Sequence, residues 1–120
     1  MKQTTGTEPV DIATMRQTVS VTLGPDGETE GAPLVPEDVD ILIGRLRGHL
    51  EMLIPEVGKK LAQLPKESSR RYCASACVGE ARGKLAARSA PRPDGEVEYA
   101  RRLARVLRAL LDHYEGNAAP

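Results

Sequence analysis

The chain has 120 residues, with 17 basic and 17 acidic side chains, 40% hydrophobic residues, three Tyr and neither Phe nor Trp. A length of this order is one domain that hides roughly two thirds of its unfolded surface, so a core of Leu, Ala, Val and Ile needs no metal or disulfide staple. The even charge balance, with a pI near 6.7, argues against a general nucleic-acid binder, and no apolar run approaches the roughly eighteen residues that a membrane-spanning helix needs.

Residues 1–20 also lack the continuous apolar stretch of a secretion signal, so the protein is expected in the cytoplasm. In that reducing compartment Cys73 and Cys77 are expected to be thiols. Charge is divided unevenly. Residues 1–64 carry six basic and ten acidic groups, a net −4, and residues 65–120 carry eleven and seven, a net +4. Halves of opposite sign attract each other within one fold, and the alternative use of the second half is a basic surface for an acidic partner.

In chain order, residues 1–8 read as a flexible start, with Thr7-Glu8-Pro9 as a helix start signal. Ile12, Met15, Val19 and Leu23 then recur at helical steps and predict a short helix. Residues 24–35, rich in Gly, Pro and acidic side chains, read as a mobile loop. Pro36 opens the second helix, and Glu37, Asp38 and Asp40 suit the positive end of its dipole. Val39, Ile43, Leu46, Leu50, Leu53, Val57, Leu61 and Leu64 follow at spacings of 4, 3, 4, 3, 4, 4 and 3, one stripe that reaches Pro65. Pro55 lies inside it and predicts a kink or a break.

Residues 66–88 carry a stripe of small side chains, Ala74, Val78, Ala81 and Leu85, flanked by Cys73 and Cys77. Small faces allow close approach, which marks this segment as the central helix. After a linker at 89–93, Asp94 is placed to cap a last helix. That helix has a wide apolar face, Ala100, Leu103, Ala104, Leu107, Leu110, Leu111 and Tyr114, and Gly116 stops it. Residues 116–120 read as a flexible tail. No strand alternation occurs, so the expected fold class is all-α: a single domain, residues 1–120, formed as a bundle of three long helices and a short N-terminal one.

Few side chains form a constellation with chemistry. Cys73, Cys77 and Glu80 lie within two turns of one helix, but tetrahedral zinc needs four ligands, and only His49 and His113 remain as nitrogen donors. The two cysteines are expected to be packing residues, with no metal and no cofactor. His49 sits at the edge of the second stripe, as a bridging or binding side chain. Gly44, Gly48, Gly79 and Gly83 fall within helices, where each costs about 1 kcal/mol against Ala, so close packing or an approaching ligand is the expected reason for them. Arg101, Arg105 and Arg108 share one face of the last helix, and Glu98 is placed to pair with Arg102. The segment Arg108-Ala109-Leu110-Leu111-Asp112-His113 resembles the R-x4-H pattern of all-helical ribonucleases of the HEPN class. That resemblance implies catalysis by Arg108 and His113 across a dimer.

A broader resemblance spans residues 10–115. It rests on Asp11-Ile12-Ala13-Thr14-Met15-Arg16, Leu46-Arg47-Gly48-His49-Leu50, Leu53-Ile54-Pro55-Glu56-Val57 and Arg71-Tyr72-Cys73-Ala74. It continues through Cys77-Val78-Gly79-Glu80-Ala81-Arg82-Gly83-Lys84-Leu85, Ala100-Arg101-Arg102-Leu103-Ala104-Arg105-Val106-Leu107 and Asp112-His113-Tyr114-Glu115. These segments resemble a small actinomycete family of unknown function, commonly labelled natural product biosynthesis protein. The resemblance implies a cytoplasmic accessory role in specialised metabolism and assigns no catalytic residue. The expected function is therefore a non-catalytic accessory or interaction protein with a protein partner, and a homodimer is one form it can take. Tyr72, Arg82, Glu80 and His49 are the candidate binding residues, Cys73, Cys77 and Pro55 the structural ones, and the HEPN-like ribonuclease is the rival.

Overall fold

The computed structural model describes residues 10–24, 36–89, 91 and 94–116. The expected start signal at 7–9, the mobile start, the tail beyond Gly116 and all of the 24–35 loop except Gly24 lie outside them. The described residues form four helices and no strand: α1 (Ile12–Leu23), α2 (Pro36–Leu61), α3 (Ser69–Ala86) and α4 (Gly95–Glu115).

Each helix begins and ends for local reasons. Asp11 caps α1, its carboxylate accepting bonds from the Thr14 amide at 3.1 Å and the Thr14 hydroxyl at 2.8 Å, and these bonds hold its pKa below the usual carboxylate value. α2 passes through Pro55 without a break. Pro55 is exposed, so the Glu51 carbonyl that its missing N–H leaves free faces the outer side of the helix, where water can take the bond. α2 ends at Leu61, short of Pro65, as the chain tightens through bonds from Gln63 N–H to the Lys60 carbonyl and from Leu64 N–H to the Leu61 carbonyl. Ser68 caps α3, accepting from the Arg71 amide at 3.1 Å. Asp94 holds the cap position of α4 but its side chain makes no capping bond, contrary to the sequence reading. Gly116 ends α4 at φ +78°, a left-handed turn that favours glycine, and its amide returns to the Asp112 and His113 carbonyls.

Long-range bonds fix the directions. Arg47 on α2 reaches Tyr99 near the start of α4, and Lys60 at the end of α2 reaches Tyr114 at the end of α4. α2 and α4 are therefore parallel. Arg16, early in α1, pairs with Asp112 at 2.9 Å and with Glu115, late in α4. Tyr99 bonds carbonyls at the end of α3. α1 and α3 are therefore antiparallel to the central pair.

α2 and α4 each touch all the other helices, while α1 and α3 do not touch each other. The centre is thus the α2/α4 pair and not α3, which is a flank. The stripe of small residues misled the sequence reading because α3 buries one quadrant only, Ala74, Cys77, Val78 and Ala81. The core is built from the leucines of the central pair: Leu46, Leu50 and Leu53 against Leu103, Leu107, Leu110 and Leu111, all fully buried. Each contributes about 1.5–3 kcal/mol of burial before entropy is counted. No helix among the described residues is long and apolar enough to cross a membrane.

Candidate functional site

One end of the bundle is concave. The last turns of α2 and α4 and the first turns of α3 enclose an open groove of about 400 Å³, with Val57, Leu61, Leu64 and Ala74 below and Lys60, Arg70 and His113 at the rim. The C-terminal end of α4 carries the negative end of its dipole into this region. Lys60 answers it directly. Its Nζ donates to the Tyr114 carbonyl at 2.7 Å and lies 4.1 Å from the centre of the Tyr114 ring. Burial lowers the pKa of His113, Asp112 opposes that shift and Arg70 adds to it, so the ring is held neutral at pH 7 and can accept or give one hydrogen bond.

Arg108 does not line this groove. Five helical positions separate it from His113, a rotation of about 140°, so the two side chains leave α4 in different directions and one copy does not bring them together. Two further hollows lie along the Arg face of α4. One runs between α3 and α4, lined by Glu80, Lys84, Arg102 and Arg105, and the other by Val97, Glu98, Arg101, Arg102 and Arg105. Glu98 and Arg102 form the expected pair at 3.7 Å.

The four candidate binding residues do not converge. Tyr72 stands on the outer face of α3 at 76% relative exposure, with Arg82 and Glu80 exposed on either side of it around the helix. His49 lies on the far side of the central pair. Its Nε2 is 3.1 Å from the Thr18 hydroxyl, and that hydroxyl gives its one proton to the Thr14 carbonyl at 3.0 Å. The bond pattern therefore assigns the proton between His49 and Thr18 to Nε2. Burial first, then Arg45, depresses the pKa of His49, with Asp11 opposing, so this neutral tautomer ties α2 to α1 at pH 7.

Cys73 is half-buried, and Cys77 is buried. Burial, with Glu80 and Asp112 nearby, pushes the Cys77 thiol up to about 11, so it stays protonated at neutral pH and is a poor nucleophile and metal ligand. Among the described residues no group of three or more His, Cys, Asp or Glu side chains is placed to hold a metal.

The glycines need a different reason from the one expected. Among the described residues, a Cβ built at Gly44, Gly48, Gly79 or Gly83 meets nothing within 4 Å, so their packing does not call for glycine at any of these positions.

Sequence reasoning missed Tyr99, which is buried and bonds three partners. Arg47 Nη1 donates to its hydroxyl at 2.6 Å, and the hydroxyl proton lies between the Lys84 carbonyl at 2.9 Å and the Ala87 carbonyl at 3.0 Å. Its signal was its place in the α4 stripe, four residues before Leu103. Lys60 and Arg70 were also missed, and basic residues close to helix ends were their only mark.

The described residues form a four-helix bundle with a central parallel pair, two flanking helices and an open groove at one end. The chain belongs to a family of unknown function (DUF6415), whose model matches residues 13–119. No curated protein and no solved structure matches it.

Proposed function

We propose that the protein is a non-catalytic accessory protein of actinomycete natural product biosynthesis or its regulation, acting in the cytoplasm, and that it recognises a protein partner through the outer face of α3. The observation that carries this reading is the exposure of Tyr72. Ala76, Gly79, Gly83 and Ala86 continue from it at spacings of 3, 4 and 3 after a first step of 4, all exposed, so a partner can approach the α3 backbone closely beside one large aromatic side chain. Arg82 and Glu80 flank that line with opposite charges. Aromatic and Arg side chains are the residue types that most often anchor interfaces. The link to specialised metabolism rests on the family resemblance of the sequence.

The test is affinity capture from a native host. Tyr72→Ala with Arg82→Ala is expected to lose the captured partner, while Arg108→Ala with His113→Ala keeps it. RNA cleavage by the purified protein that vanishes in His113→Ala, with folding unchanged, overturns this reading in favour of the ribonuclease.

A further inference from the structure

The groove at the end of the bundle has a floor and a rim of different chemistry. Val57 and Ala74 are buried and Leu61 and Leu64 half-buried, so the floor is hydrocarbon supplied by the end of α2, the chain just beyond it and α3. Its volume of about 400 Å³ is that of a small-ligand pocket.

Most polar groups around it are already engaged. The Leu64 carbonyl accepts from Arg71 at 2.9 Å, the Tyr114 carbonyl from Lys60 at 2.7 Å and the His113 carbonyl from the Gly116 amide at 3.2 Å. Glu115 also lines the groove, and Arg16 meets its charge. Arg70, His113 and Gln63 are left, since none of their side chains makes a hydrogen bond or ion pair among the described residues. The positive charge of Arg70 reaches the His113 ring. A guanidinium and a neutral imidazole lining one hollow can both donate, and a carboxylate is a group that takes two donors at once.

These leftovers identify the occupant. Arg70 is a charge that no described side chain answers, so the ligand is an anion, and the floor asks for hydrocarbon behind the charge. A peptide would bring N–H groups that need acceptors, where the Leu64, His113 and Tyr114 carbonyls are already bonded, whereas an aliphatic acid needs donors alone. We propose that the groove binds an aliphatic carboxylic acid, with its carboxylate between Arg70 and His113 and its chain on Val57, Leu61, Leu64 and Ala74. This goes beyond the accessory reading and does not rest on it, because Tyr72, Glu80 and Arg82 lie outside the groove.

Titration of the full chain with sodium octanoate, followed by amide NMR shifts and with circular dichroism to check folding, is the test. A ligand of this size in an open groove is expected to have a dissociation constant of about 0.1–1 mM, with shifts at the ends of α2 and α4 and the start of α3. Octanamide has the chain without the charge and acetate the charge without the chain, and each is expected to bind at least ~10-fold more weakly. Arg70→Gln is expected to weaken octanoate at least ~10-fold and to change octanamide less than ~2-fold. Leu64→Ala is expected to weaken both by about 3-fold. Absence of shifts at about 10 mM octanoate overturns the proposal. So does octanoate binding indifferent to Arg70→Gln, or octanamide that binds as tightly as octanoate. Tighter binding of a blocked tripeptide ending in a free leucine carboxylate also overturns it, and assigns the groove to a protein C-terminus. Tyr72→Ala is expected to lose the captured partner and keep octanoate, so the two readings fail separately.

Discussion

α1 lays Met15, Val19 and Leu23 on the central pair and buries Thr18 and Thr22 beside them, while α3, on the opposite flank, buries nothing larger than Val78 and Cys77. Their polar ties differ as well. α1 is held side chain to side chain, through Arg16 with Asp112 and Glu115 and through Thr18 with His49. α3 is held by side chains that grip backbone: Tyr99 on the Lys84 and Ala87 carbonyls at its end, and Arg71 on the Leu64 carbonyl at 2.9 Å at its start. A helix with large buried side chains draws its placement from apolar area. A helix of small ones needs its ends fastened, because packing alone supplies less.

Truncating the large side chain breaks this comparison hardest. Met15 is 1% exposed, and Met15→Ala is expected to cost about 2–5 kcal/mol in urea unfolding, through lost transfer energy and the cavity left behind. A change below ~1 kcal/mol would mean that α1 is not held by its apolar face.

Tyr99→Phe tests the other flank. It removes one hydroxyl that serves Arg47 and two carbonyls, with an expected cost of about 1–3 kcal/mol. Hydrogen exchange locates the effect. The Ala87 amide, bonded to the Gly83 carbonyl at 3.0 Å, is expected to exchange faster, with α1 amides unchanged. Equal acceleration in both flanks would show that Tyr99 supports the whole bundle and not the end of α3.

Cys77→Val sharpens the claim that α3 packs by size. As a near-isosteric change it is expected to cost under about 1.5 kcal/mol. Stoichiometric zinc in the purified wild-type protein, lost in this variant, would instead make Cys77 a ligand.

The smallest effect is a pH dependence on the α1 side. The folded pKa of His49 lies below its ordinary 6.5, so the unfolded chain takes up the proton first as pH falls. The unfolded state then binds more protons, and stability declines as pH drops from about 6.5 toward the folded pKa. His113 shifts in the same direction and contributes with the same sign. His49→Gln is expected to flatten the fall in urea midpoint between about pH 6.5 and pH 5, leaving the share of His113. An unchanged slope would remove His49 from the account.

Much of the fold was legible because α2 and α4 advertise themselves. Their apolar stripes run for five or more turns, and the residues read from them, Leu46 to Val57 and Leu103 to Leu111, are the buried ones. The choice of centre was not legible, because small side chains mark a close approach without saying how many neighbours approach. Asp11 was passed over as a cap because the search for a start looked earlier, to Thr7. Of the candidate site, the isolation of Arg108 from His113 follows from helical rotation alone, which their five-residue spacing already carries. The Tyr99 contacts and the end groove join residues from different helices through backbone carbonyls, and no spacing within one segment records such bonds.

The ion pairs of Arg16 have a consequence for how the chain is made. Their partners lie 96 and 99 positions further along, at the end of the last helix. A ribosome adding about 5–20 residues per second releases α1 first and its anchors on α4 last, several seconds later. Through that interval Met15, Val19 and Leu23 lack their cover on α4. α1 can settle on α2 early, through Thr18 and His49, but it is locked in place only when the end of α4 has been made.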